Sequence, residues 1–234
     1  MRKLIRRLIL LILIIALIGS AILIEMGYLD YKQQVSENSI DSVVEQLRTR
    51  DNYVKLNEMS SYMPLAIVAI EDKRYYQHGA IDVIGTTRAV VVNLVSKKLV
   101  QGGSTITQQL AKNLYSLNTK NGIKKISEAF LAVALEKKYS KKEILEMYLN
   151  IIYYGDQHYG IAQAAKGYFN MTPAQLDLAR CALLAGLPQA PSIYALSNHD
   201  ERTYQRQQQV LKAMLDQQLI TAIDYNQALN EQLQ

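Results

Sequence analysis

The densest group of chemically useful side chains is the run Gly102 to Asn113, GGSTITQQLAKN, where hydroxyls, amides and one cation follow a glycine pair. Ser104 is expected as the N-cap of a helix that places Thr105, Gln108 or Gln109, and Lys112 on one stripe. Ile106, Leu110 and Leu114 fall on another. A helix start presents unpaired N–H groups and partial positive charge, so an anion such as phosphate is expected there, with Lys112 as a point charge. An ordinary capped amphipathic helix is the alternative. Carboxylates also stand where apolar packing is expected. Glu71 and Asp72 follow the run Pro64 to Ile70, and Glu128 opens the apolar run Ala129 to Leu135, expected as a central buried helix. Apolar walls disfavour a carboxylate's charged form and raise its pKa, which suits proton transfer near neutrality. Lys124, four residues before Glu128, is expected to share its face, either as a surface ion pair or as a cation beside an anionic ligand.

These residues need a scaffold. A chain of 234 residues with 49% hydrophobic content can build one domain plus an appendage. Trp is absent, two Phe stand against sixteen Tyr, and Pro is scarce, so the body is expected to be mostly helical. Helices are expected near 64–76, 84–99, 104–117, 123–138, 141–150, 160–169, 173–185 and 200–217. Ser140 to Glu143 spells a capping box, and Thr172 to Gln175 combines a cap, a first-turn proline and a glutamine three residues on. Gly186 and Pro188 should stop the helix that follows. The lone Cys181, in an apolar run, reads as a small buried side chain. His158 and His199 have no Cys or acid at ligand spacing, so no zinc site is expected.

The net charge of +5 is concentrated in Arg2, Lys3, Arg6 and Arg7, and the remainder is close to neutral. No Arg stripe interleaved with aromatics occurs, so nucleic acid is not an expected partner. Leu8 to Ile24 carries no charge, and Leu4 to Ile24 would make about 31 Å of helix, matching a ~30 Å hydrocarbon core. The basic cluster should stay cytoplasmic, placing everything after Glu25 outside. A cleaved signal peptide is the competing reading; three apolar residues after Gly19-Ser20-Ala21 favour an uncleaved anchor. The expected organisation is a cytoplasmic tail at 1–7, an anchor at 8–24, a juxtamembrane connector at 25–59 and a catalytic domain at 60–234.

Five segments in order resemble the peptidoglycan glycosyltransferases, or biosynthetic transglycosylases: Glu71 to His78, Gly102 to Asn113, Lys124 to Glu128, Lys141 to Asn150 and Ala182 to Ser192. Tyr159-Gly160-Ile161 and Ala164-Ala165 add to the likeness, which covers roughly residues 60 to 215. The resemblance implies a mainly α, lysozyme-like glycosyltransferase domain with a head lobe and a small membrane-facing jaw lobe, acting on lipid II at the bacterial plasma membrane. It implies Glu71 as the general base and Glu128 as a second essential carboxylate near the donor diphosphate. Lys112, Lys124 and Lys125 match positions that neutralise the leaving group, with Lys120 assisting. Ser104, Thr105, Gln108, Gln109 and Asn113 would bind substrate on the donor side, while Asp72 and His78 support the loop carrying Glu71. A divalent cation, Mg or Mn, is implied as a bridge on the diphosphate, without identifiable protein ligands.

The run Ile84 to Leu99, with Lys97 and Lys98, falls where the family has its membrane-apposed lobe; a helix packed on its own domain is the alternative. Tyr75 stands where the family usually has Phe, Ala80 where it has Gly, Lys124 where it has Arg, and Arg180 where an acid is common. No Ser-x-x-Lys occurs, so the likeness is to the monofunctional enzymes, with crosslinking left to transpeptidases and other wall-synthesis partners. Two alternatives remain. A lysozyme-like glycan cleaver leaves GGSTITQQLAKN without a purpose, and a non-catalytic membrane-anchored scaffold leaves the intact set of motif residues unexplained.

Overall fold

A computed structural model describes residues 2–96, 102–198 and 201–231. Among these, twelve helices carry the fold: α1 (Arg2–Glu37), α2 (Ile40–Arg48), α3 (Tyr62–Glu71), α4 (Val83–Ser96), α5 (Ile106–Leu114), α6 (Gly122–Lys138), α7 (Lys141–Ile151), α8 (Ile161–Phe169), α9 (Leu178–Gly186), α10 (Pro191–Tyr194), α11 (Glu201–Asp216) and α12 (Ala222–Asn230). The β-type pairing among described residues is one isolated bridge, Tyr153 to Tyr159. The expected mainly α architecture is the one observed. Leu99, Lys97, Lys98 and His199, named above, lie outside the described residues.

α3 is the hub, because Met63, Ala66, Ile67, Val68 and Ala69 leave it no polar face to turn outward. It packs on α9 and α11, while α5 packs on α6 and α7. α11 shows how sequence sets this packing: Thr203, Arg206, Gln207, Val210, Leu211 and Met214 are buried at the spacing of one helical face. α7 starts at the expected capping box, where Ser140 Oγ accepts from the Glu143 N–H and Glu143 Oε2 accepts from the Ser140 N–H at 2.9 Å. The stretch 173–185 is not one helix. Pro173–Gln175 forms a 3-10 turn, and Asp177 then caps α9 by accepting from the Arg180 N–H at 2.8 Å.

The segment 25–59 does more than connect. α1 runs unbroken to Glu37, about 54 Å at ~1.5 Å per residue. Its apolar half is exposed and, by length and composition, sufficient to cross a membrane. Its carboxyl-terminal part lies on α6, where a Cβ on Gly27 would stand 2.6 Å from Ile126 Cβ, so only glycine permits this approach. α2 then buries Ile40, Val44 and Leu47 in the main core. α4 is the opposite case, burying Ala89 while leaving Val83, Ile84, Val90, Val91, Leu94 and Val95 exposed.

Candidate active site

Glu71 is the last residue of α3, and the chain leaves the helix at Asp72 with φ −153° and ψ 69°. The carboxylate therefore emerges from a wholly apolar helix into a nearly closed space, its side chain 12% exposed. Gln109 Nε2 of α5 donates to Glu71 Oε2 at 2.8 Å, and the Gln109 carbonyl accepts from the fully buried Tyr148 hydroxyl at 3.0 Å. The phenol thus fixes which end of the amide faces Glu71. Arg206 of α11 brings a guanidinium nitrogen to 3.9 Å from Glu71 Oε1. Burial pushes the Glu71 carboxyl above the ordinary glutamate value, while the Gln109 hydrogen bond and the Arg206 charge pull it back. A carboxylate held this way is a proton acceptor of raised basicity.

Asp72 turns the other way and is buried. Its Oδ2 accepts from the Ile106 N–H at 3.1 Å, and its Oδ1 lies 2.7 Å from His78 Nε2, whose other ring nitrogen meets the Gly79 carbonyl. The anion at the α5 N-terminus is therefore the protein's own. Ser104 is not the cap. Thr105 holds that position, accepting from the Gln108 N–H at 3.1 Å, while the Gln108 side chain accepts from the Thr105 N–H at 3.1 Å. Thr105 also donates to the Ala80 carbonyl at 2.7 Å. Two of the residues expected to line the donor side, Thr105 and Gln108, are thus buried and engaged in holding the helix start.

The second carboxylate, Glu128 on α6, is almost wholly buried and forms an ion pair with Lys125, whose ammonium also donates to Ser104 Oγ at 2.8 Å. Burial raises the Glu128 carboxyl above its usual range, opposed by the Lys125 hydrogen bond and by the charges of Lys125 and Lys112. Gln109 and Lys112 stand three residues apart on α5, roughly 4.5 Å along its axis. One helix face thereby serves both carboxylates. Asn113 Nδ2 donates to the Gln109 main-chain carbonyl at 2.8 Å, and Lys120 is exposed in the loop before α6. Lys124 does not join this group, since its ammonium is 2.6 Å from Asp30 Oδ1 of α1. Nor is 129–135 buried all round, because Val133 is exposed.

Among the described residues the implied divalent cation finds no prebuilt cage. Asp72, His78 and Asp82 offer three ligand atoms within 4.8 Å of one another. The Asp72 oxygens are engaged as described, and Asp82 is held by the Arg74 guanidinium and by the Gly85 N–H at 2.8 Å, its carboxyl pushed down to about 2. A guanidinium beside the carboxylate opposes a second cation, so this donor set does not fit a divalent ion.

Arg206 and Tyr148 are site residues that sequence reasoning missed. The signal of Arg206 is a cation on the buried stripe of Thr203, Gln207, Val210 and Met214. Gly186 makes room for it: a Cβ there would stand 2.8 Å from Arg206 Cγ. Of the four departures, three meet partners through their side chains, and nothing in the structure explains alanine at position 80. The Tyr75 hydroxyl, which Phe lacks, donates to the Lys141 carbonyl at 2.7 Å. Ala80 is buried and accepts from Thr105, Lys124 meets Asp30, and Arg180 pairs with Asp177 and with Glu231 at 2.5 Å.

Residues 37–215 match the sequence model of the transglycosylase family. The chain belongs to that family. It is similar to penicillin-binding protein 1A of Neisseria lactamica, with 46% identity over 184 residues, 79% of this chain and 23% of the relative. It is likewise 44% identical to penicillin-binding protein 1A of Aquifex aeolicus over 77% of this chain and 25% of that protein. The chain thus spans about a quarter of the length of these relatives. The crystal structure of penicillin-binding protein 1A from Haemophilus influenzae aligns at 25% identity and a TM-score of 0.48, covering 78% of this chain and 18% of that one.

Proposed function

We propose that this protein is a peptidoglycan glycosyltransferase that polymerises lipid II into β-1,4-linked glycan strands. Glu71 accepts the proton of the GlcNAc 4-hydroxyl of the acceptor. That oxygen forms a bond to C1 of the donor's terminal MurNAc, the C1–O bond to the diphosphate breaks, and the polyprenyl diphosphate leaves with the electron pair. Displacement from the opposite face inverts the anomeric centre. Lys112 and Lys125 receive the departing negative charge beside Glu128, and Ser104 holds the Lys125 ammonium. A divalent cation, when bound, would add positive charge beside the diphosphate, and the Asp72, His78 and Asp82 group is not the set that would hold it.

The observation that carries this reading is the division of one α5 face between a basic carboxylate at Gln109 and a cation pair at Lys112. A glycan cleaver would need the acid without the cations. α1 anchors the chain in the plasma membrane with its basic end cytoplasmic and the catalytic body outside, and α4 lays its exposed apolar face on the bilayer. Transpeptidases crosslink the product. The test is incubation of the purified full chain in detergent with labelled lipid II: long strands are expected from wild type and none from Glu71→Gln, and equal products from both would overturn the assignment.

A further inference from the structure

α6 carries two adjacent lysines that face different partners. Lys125 serves Ser104 and Glu128, whereas Lys124 reaches the anchor helix at Asp30. At 3.6 residues per turn Lys124 stands within about 40° of Glu128 on the helical wheel, so it could have served the site. Its ammonium points away instead. Around that ion pair the two helices are fitted closely. Gly27 admits Ile126, and the rings of Tyr28 and Tyr31 lie 5.3 Å and 5.9 Å from that of Phe130. Tyr115 adds a hydrogen bond to the Asn38 carbonyl at 3.0 Å, tying the end of α5 to the end of α1. The second Asp30 oxygen is buried without a partner among the described residues. A half-satisfied carboxylate in such a seam costs stability, and a neutral residue would avoid that cost.

We propose that Asp30 is a positioning residue of the active site: it withdraws Lys124 from the diphosphate-binding set and fixes α6, with Lys125 and Glu128, to the membrane helix. The inference rests on the lipid II reading and revises one residue of it. Lys124 acts through the seam and makes no contact with the diphosphate. Lys125 alone of the adjacent pair contributes charge to the leaving group.

A charge exchange in the full chain separates the two roles. Asp30→Lys and Lys124→Asp should each lower kcat about tenfold, as expected for breaking a contacting charged pair, with KM for lipid II nearly unchanged. The double exchange should restore kcat to within about threefold of wild type. Asp30→Asn is the milder companion should a charge-reversed chain fail to fold, and it should lower kcat without lowering KM. If Lys124 instead binds diphosphate, Lys124→Asp raises KM, the double exchange fails to rescue, and Asp30→Asn lowers KM by freeing the ammonium; any of these results, or single variants with wild-type kcat, overturns the proposal. Amide hydrogen exchange of residues 122–126 in micelles reads the seam without substrate and should accelerate in Asp30→Asn. Unchanged exchange there defeats the proposal, whereas a wild-type chain inert toward lipid II defeats the catalytic reading instead.

Discussion

Glu71 and Glu128 are both carboxylates withdrawn from water, yet their surroundings differ in kind. Glu71 is met by a neutral amide at hydrogen-bond distance and by a cation only at 3.9 Å. Glu128 is met directly by an ammonium. Burial raises the proton affinity of both carboxylates and is only partly offset at each; at Glu71 the first offset is a neutral amide hydrogen bond, at Glu128 an ammonium in direct contact. Burial alone does not define a role, and the first partner does. The end with the amide is suited to taking a proton, and the end with the ammonium to holding charge in place.

The sharpest way to break this contrast is substitution of the two ends in turn. Glu71→Gln should reduce polymerisation by roughly 10²–10⁴-fold, the range of a lost general base. It should unfold no earlier than wild type, because a buried charge has been removed. Lys125→Met should lose about tenfold to a hundredfold, since one fixed cation is removed from the leaving-group side while Lys112 remains. Similar losses in both variants, measured as kcat/KM under identical conditions, would erase the distinction.

pH profiles refine it. A base must be deprotonated to act, so the raised Glu71 pKa places the acid limb of kcat/KM above the ordinary glutamate range. Arg206 lowers that pKa. Arg206→Met should therefore move the acid limb to higher pH and reduce the rate at any pH below its plateau; an acid limb that stays in place would remove Arg206 from the site. Gln109→Ala should lower stability to urea by about 1–3 kcal/mol, because the Tyr148 hydroxyl is left buried and unpaired. The smallest effect is expected from Tyr148→Phe, about 1 kcal/mol, with loss of rate exceeding loss of stability as the Gln109 amide becomes free to turn over.

Local signals in the chain were largely legible. The capping box at Ser140, the stop at Gly186 and the long apolar amino-terminal helix all rest on spacing within a few residues, and the structure has them where expected, whereas the helix expected over 64–76 already ends at Glu71. What escaped depends on partners distant in sequence. Ser104 and Thr105 are both acceptable caps, and the choice falls on Thr105 because the Ala80 carbonyl, 25 residues earlier, binds its hydroxyl. Lys124 and Lys125 are equivalent as symbols, and only Asp30, 94 residues away, separates their roles. Arg206 stands out as a cation on a buried helix stripe, but its target lies at the end of a helix far upstream. α2 sits inside a polar stretch, where three buried side chains, Ile40, Val44 and Leu47, suffice to dock a short helix.

Asp72 has a consequence for the effect of salt. By taking up the Ile106 N–H at the start of α5, it leaves the proposed retention of a diphosphate chiefly to the ammonium groups of Lys112 and Lys125. An anion held mainly by ammonium charge at a partly exposed site is screened by salt, so its occupancy there should fade as ionic strength rises.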